Sequence, residues 1–228
     1  MTLTWPADLR PSTSSFYLEA NTARNESPLS RATQVLVRPG ARWRCDMTFD
    51  NRNRVTAARL DALLALLDGA GQEVRLFDFR RAVPRGAAAL LTGDITTTFT
   101  DGTEFTDTFD FVDGRMGTAP VVLFLAGTGA DAITTSGWAP REHALLTGDY
   151  IGINGNLYMV CQDARASAAG VVDLQLRPRL RTPVAASTTI ITIQPTARFR
   201  LADNSQGGNR TQVGLFSSYS ISLLESLP

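Results

Sequence analysis

The chain contains no lysine: its 22 basic residues are all arginine, set against 22 acidic residues for a net charge of zero. Genomic base composition accounts for that choice, and Arg also suits protein interfaces, where its planar fork pairs with carboxylates. Histidine is nearly absent, so any Ser-His-Asp or Cys-His scheme has to use His143. Its neighbours Pro140-Arg141-Glu142 are loop-like, and no G-x-S-x-G element is present. Cysteine is limited to Cys45 and Cys161, too few and too far apart for a framework or a metal-binding spacing. Each reads as a small buried apolar residue, and with one histidine a zinc site lacks its usual ligand set. No run of eighteen apolar residues occurs, which excludes a membrane-spanning helix. Met1 to Pro6 lacks the basic region and apolar core of a signal peptide, so the expectation is a cytoplasmic chain unless a larger particle carries it out. Neither a metal nor a cofactor is expected.

What is present suffices for a core: 228 residues, 43% of them hydrophobic, allow one large domain or two small ones. The charges are unevenly placed. Residues 1–88 hold 13 arginines against 9 acids, residues 89–150 hold 2 against 9, and residues 151–228 hold 7 against 4. These balances of +4, −7 and +3 mark the middle as an acidic segment with its own environment. The acids there match no calcium-loop spacing, and a solvated face explains them better than a paired-carboxylate glycosidase site. The arginines lie in two separate segments, not on one basic face with interleaved aromatics, so nucleic-acid recognition is not expected.

One helix is predicted. Val55, Leu60, Leu63, Leu64 and Leu67 recur at helical intervals, with Asn53 or Thr56 as the cap and Gly69 as the stop. A helix with one apolar side has to lie on a sheet. Around it the chain reads as strands: Phe16 to Leu18, a hairpin pairing Ser30–Val37 with Arg42–Phe49 about Pro39-Gly40, then Val74 to Phe79. Asn21 to Leu29 reads as a loop and residues 1–14 as an arm.

In the middle, Ile95, Phe99, Phe105 and Phe109 share one face of a ribbon if the loop between them has three residues, 101–103. Val121 to Leu125 reads as a buried strand, and Gly127-x-Gly129 is too little for a phosphate loop. Ala89 to Asp94 recurs as Ala144 to Asp149, a reused turn in unmatched surroundings. After Tyr150 everything is β, with a hairpin at Asn154-Gly155-Asn156 and strands at 171–176, 188–193, 197–201 and 217–224. The expected fold class is therefore mainly β: a barrel or sandwich body from 15–88 and 150–228, one main helix at about 55–68, and an acidic inserted β segment at 89–149.

Trp43 after Arg38-Pro39-Gly40-Ala41-Arg42, the leucine helix and Pro84-Arg85-Gly86 resemble the opening of tail-tip proteins of long-tailed bacteriophages. Gly137-Trp138, Gly148-Asp149-Tyr150, Asn156-Leu157-Tyr158-Met159-Val160, Pro178-x-Leu180-Arg181 and Phe199-Arg200-Leu201-Ala202-Asp203 extend the resemblance in the expected order over most of 30–203. The chain resembles a distal tail protein; the ribbon from Ile95 to Asp113 is extra to that pattern. The resemblance implies a non-enzymatic virion protein, assembled in the host cytoplasm. It implies a ring of six copies joining tail tube to baseplate hub, with tape-measure or receptor-binding proteins as further neighbours. Charge points to Arg80, Arg81, Arg179 and Arg181 as candidate subunit contacts, with reversal of Arg80 and Arg81 expected to weaken the ring without unfolding the subunit. The alternative is a carbohydrate-binding or host-adhesion module, with Trp138 and Tyr150 as glycan contacts.

Overall fold

The computed structural model describes residues 2–91, 119–206, 210–211 and 217–227. It divides the chain into two compact units, residues 1–80 with 196–228 and residues 81–195. In chain order the first unit supplies β1 (Thr2–Thr4), β2 (Thr13–Glu19), β3 (Thr22–Glu26), β4 (Thr33–Val37), β5 (Arg42–Arg52), α1 (Arg54–Leu67) and β6 (Glu73–Leu76). The second unit supplies a 3-10 turn at Ala87–Leu91, then β7 (Val121–Val122), β8 (Ala132–Ser136), β9 (His143–Leu145), β10 (Tyr150–Ile153), β11 (Asn156–Val160), β12 (Ala164–Arg165) and β13 (Val171–Arg177). The chain then returns to the first unit with β14 (Ala197–Leu201), β15 (Arg210–Thr211) and β16 (Ser217–Glu225). The protein is mainly β, with sheets curled as half-barrels and a single α-helix among the described residues.

The sheet of the first unit runs β1-β6-β14-β16-β5-β2, with β15 added to β16. All its pairings are antiparallel except β1 with β6. Strand β5 shows the alternation that fixes register: Trp43, Cys45, Met47 and Phe49 are buried while Arg44, Asp46 and Thr48 are half-exposed. Phe16 packs between Trp43 and Phe199, with ring centroids 5.4 and 5.7 Å away. Buried among these groups, the Cys45 thiol is pushed up to about 12.

Helix α1 starts where expected, with the Asn53 side chain accepting from the Thr56 N–H at 2.9 Å. It ends in the left-handed conformation at Asp68, one residue before Gly69. Ala57, Leu60, Leu63, Leu64 and Leu67 are buried, whereas Val55 faces solvent. Burying each leucine stabilises by about 1.5–3 kcal/mol. The Tyr219 hydroxyl of β16 ties the helix down, 3.1 Å from the Ala57 carbonyl oxygen and 3.0 Å from Asp61 Oδ1.

Residues 1–14 are not an arm. β1 extends the sheet beside β6, and Trp5 and Leu9 are buried, the indole N–H donating to the Leu9 carbonyl at 2.8 Å. Trp5 also stacks on Phe49. Two apolar side chains thus outweigh the prolines and serines around them.

The expected hairpin about Pro39-Gly40 is also replaced. β4 pairs with β3, in the stretch read as a loop, while β5 pairs with β2 and β16. The bonds from Arg38 N–H to the Asn21 carbonyl and from Asn21 Nδ2 to the Pro39 carbonyl turn the chain between them.

In the second unit β10-β11-β13-β8-β7 form one sheet, and β9 and β12 a separate pair. Its core is aliphatic around Trp138 and Tyr158, with Ile151, Val160, Leu174 and Leu176 fully buried. The hairpin of β10 and β11 closes on Asn154-Gly155, both at positive φ, as a two-residue turn requires. The expected strand at 121–125 shortens to two residues, leaving Phe124 and Leu125 exposed, and 188–193 makes isolated bridges only.

The unit boundaries differ from the charge boundaries. Residues 150–177 pair with β7 and β8, not with the sheet containing β5, so the excursion from the first unit is 81–195. The ribbon at Ile95–Asp113, its 101–103 loop, Thr92-Gly93-Asp94 and Gly207-Gly208 lie outside the described residues.

Candidate assembly surface

Strands β3 and β4 form a two-stranded ribbon that pairs with no other strand among the described residues. Every residue from 28 to 40 is exposed. Cross-strand partners share a face, so Thr22, Val37, Arg24, Val35, Glu26 and Thr33 form one side, and Ala23, Leu36, Asn25 and Gln34 the other. Neither side is covered: Val35 is 60% exposed, Leu36 58% and Val37 75%, and Leu29 at the tip is 97% exposed. Scattered exposed apolar residues are ordinary, but three in a row on an isolated ribbon are not. A lone two-stranded hairpin is also marginal in water without a surface to pack on. Arg24, Arg31 and Arg38 against Glu26 give residues 20–40 a balance of +2.

The four arginines expected at subunit contacts have the following surroundings within the chain. Arg80 holds the buried Asp78 carboxylate, with Nη2 2.8 Å from Oδ2, and donates to the Phe16 carbonyl at 2.6 Å. Arg81 donates to the Gly148 carbonyl at 2.6 Å and lies over the Tyr150 ring, 5.8 Å from its centroid. The Arg181 N–H donates to the Tyr158 hydroxyl. Arg179 is exposed and makes no hydrogen bond or ion pair with the described residues. Both glycan candidates are packing residues: Trp138 is 1% exposed and its indole N–H donates to Thr135 Oγ1 at 2.8 Å, and Tyr150 is 4% exposed under Arg81.

Two of the short motifs meet in space. Arg85 Nε donates to Asp149 Oδ1 at 3.0 Å, and Asp149 Oδ2 accepts from the Leu146 N–H at 2.8 Å and the Arg85 N–H at 3.2 Å. Gly86 lies so close to the His143 and Ala144 carbonyls that a Cβ there would collide with both. Pro84-Arg85-Gly86 and Gly148-Asp149-Tyr150 therefore act together as a brace within the second unit. No protein family and no curated protein matches this chain.

His143 is exposed on β9, not in a loop, and among the described residues no three His, Cys, Asp or Glu side chains converge as metal ligands would. Asp163 is the one acid nearby with a lowered pKa, held down first by the Thr147 N–H and then by the Thr147 hydroxyl, at 2.7 Å each. The Thr147 contacts stiffen the β9–β10 turn. Among the described residues no helix is long and apolar enough to cross a membrane.

The ribbon is the feature the sequence reading missed. Thr22-Ala23-Arg24-Asn25-Glu26 carries no alternation, because neither of its sides is buried. The available signal was Val35-Leu36-Val37, three consecutive apolar residues that a one-sided strand would have alternated with polar ones.

Proposed function

We propose that this chain is a structural protein of a bacteriophage tail tip, a distal-tail subunit that closes into a ring between tail tube and baseplate hub. The observation that carries this reading is the uncovered apolar ribbon of β3 and β4, a surface suited to a protein partner and to no small molecule. The ordered run of motifs resembling distal tail proteins supplies the context, and with it a count of six copies and a place in the virion. Tape-measure or receptor-binding proteins are the further neighbours of such a ring. The role is geometric, not catalytic.

The carbohydrate-binding alternative is weakened because Trp138 and Tyr150 have little surface to offer a sugar. Negative-stain microscopy of the concentrated protein tests ring formation, and antibody labelling of purified virions tests position. Labelled tail tips are the expected result. Virions that lack the protein overturn the reading, whatever its state in isolation.

A further inference from the structure

The outer side of α1 is the second uncovered apolar surface of the first unit. Its exposed positions include Val55, at 70%, and Leu66, at 63%, with Ala58, Ala62 and Ala65 between them. The spacing 55, 58, 62, 65 and 66 draws an apolar strip opposite the buried leucines, interrupted only by Arg59, which pairs with Asp8. Its charges are also reversed relative to its own dipole. Arg54 stands in the first turn, where an acid would be favourable, and Asp68 caps the end, where a base would be; the last turn has no basic residue. Asp61 adds a second exposed acid on the later half. The helix thus presents an apolar strip whose C-terminal half is negative.

The ribbon has a matching character, with Val35 and Val37 on one side beside the Arg24–Glu26 ion pair, and with Arg31 and Arg38 towards its two ends leaving residues 20–40 a balance of +2. A closed ring built head to tail needs two different patches on each subunit, and these two are complementary in apolarity and in sign. We infer that the β3–β4 ribbon of one copy packs its Val35–Val37 side across the outer strip of α1 of the next copy. The arginines of the ribbon then approach Asp61 and Asp68 of the neighbour. The alanines allow the ribbon close approach, and Val55 and Leu66 border the seat. This rests on the ring reading and names the surfaces that would close it.

The test uses the full chain with Cys161→Ser, which leaves the buried Cys45 as its only native thiol. Val35→Cys and Ala62→Cys are made in separate proteins, mixed, and oxidised. The expected result is a Val35–Ala62 cross-linked dimer, a ladder when one chain carries both substitutions, and little product when Gln34→Cys, on the other side of the ribbon, replaces Val35→Cys. Val35→Asp with Val37→Asp, and separately Leu66→Glu, should each raise the concentration for half-assembly at least about tenfold. Both variants should keep the wild-type circular dichroism, since the altered side chains are exposed. If wild type assembles while neither variant changes that concentration and no cross-link forms, the inference falls and the ring reading survives. A wild-type chain that stays monomeric and uncross-linked at millimolar concentration also overturns it; labelling of virions then decides the tail reading separately.

Discussion

Replacing Asp149 by alanine should destabilise the second unit by about 3–5 kcal/mol. The carboxylate is 2% exposed and accepts three hydrogen bonds, from the Leu146 and Arg85 backbone N–H groups and from Arg85 Nε. A bond to a charged acceptor contributes about 1.5–3 kcal/mol, and the 3.2 Å contact from Arg85 N–H belongs at the low end. The guanidinium adds little, about 0–1 kcal/mol, because the Arg85 side chain is 58% exposed and regains water when its partner is removed. The backbone donors therefore dominate the loss. The substitution Asp149→Asn keeps one acceptor oxygen and should lose about half as much. Trp138 is the reporter, since Trp5 and Trp43 belong to the first unit. With 5-fluorotryptophan incorporated, fluorine NMR through a urea titration follows each indole. The Trp138 resonance should change at lower urea in Asp149→Ala than in wild type. A Trp138 transition moved by less than about 1 kcal/mol would refute the brace.

Leu63→Ala and Leu64→Ala should each cost about 2–5 kcal/mol by urea denaturation; unchanged midpoints would mean that α1 is not packed as described. Arg80→Glu should unfold the first unit at lower denaturant, by more than about 3 kcal/mol, because it sets a like charge beside the buried Asp78. The expectation that reversing Arg80 leaves the subunit folded predicts an unshifted midpoint instead, and that result would refute the stabilising role of the Arg80–Asp78 pair. The Glu73 carboxylate is held below its ordinary range, first by the Ser226 hydroxyl at 2.7 Å and then by Arg198 and Arg200. Since the folded value is the lower one, its contribution is present above the unfolded carboxylate range and is lost as pH falls through the folded one. Glu73→Gln should therefore flatten stability against pH on the acid side, and parallel curves would count against it. Cys45 should resist alkylation in the native protein up to strongly alkaline pH and react once unfolded, with mass spectrometry as the readout.

Helix α1 was legible because Asn53, the leucine spacing and the Asp68-Gly69 end all agree, and the β10–β11 turn because Asn154-Gly155 is chemically suited to positive φ. Pairing was less legible. Pro39-Gly40 is a turn signal, yet a turn does not say which strand lies beside which, and long-range hydrogen bonds gave β5 to β2 and β16. Trp5 and Leu9 were hidden by their polar neighbours, since burial of two side chains leaves no periodic trace. The partners of the arginines within the fold were hidden for a similar reason. Arg80 and Arg81 look like free cations in a sequence, but Asp78, Gly148 and Tyr150 reach them only through the fold.

The return of β14, β15 and β16 to the first unit has a consequence for synthesis. β16 sits between β14 and β5, so the first sheet has a gap at its centre until residues 217–225 are made. The second unit is one uninterrupted stretch, 81–195, and can close while translation continues. At roughly 5–20 residues per second, the delay between residues 195 and 225 is about 1.5 to 6 seconds. During it α1 has no Tyr219 to hold it down, and the ribbon is joined to an unfinished sheet. If ribbon seats on helix as proposed, the subunit that receives it has its helix tied down only once β16 is in place. The order of the strands along the gene thus leaves closure of the first sheet to β16.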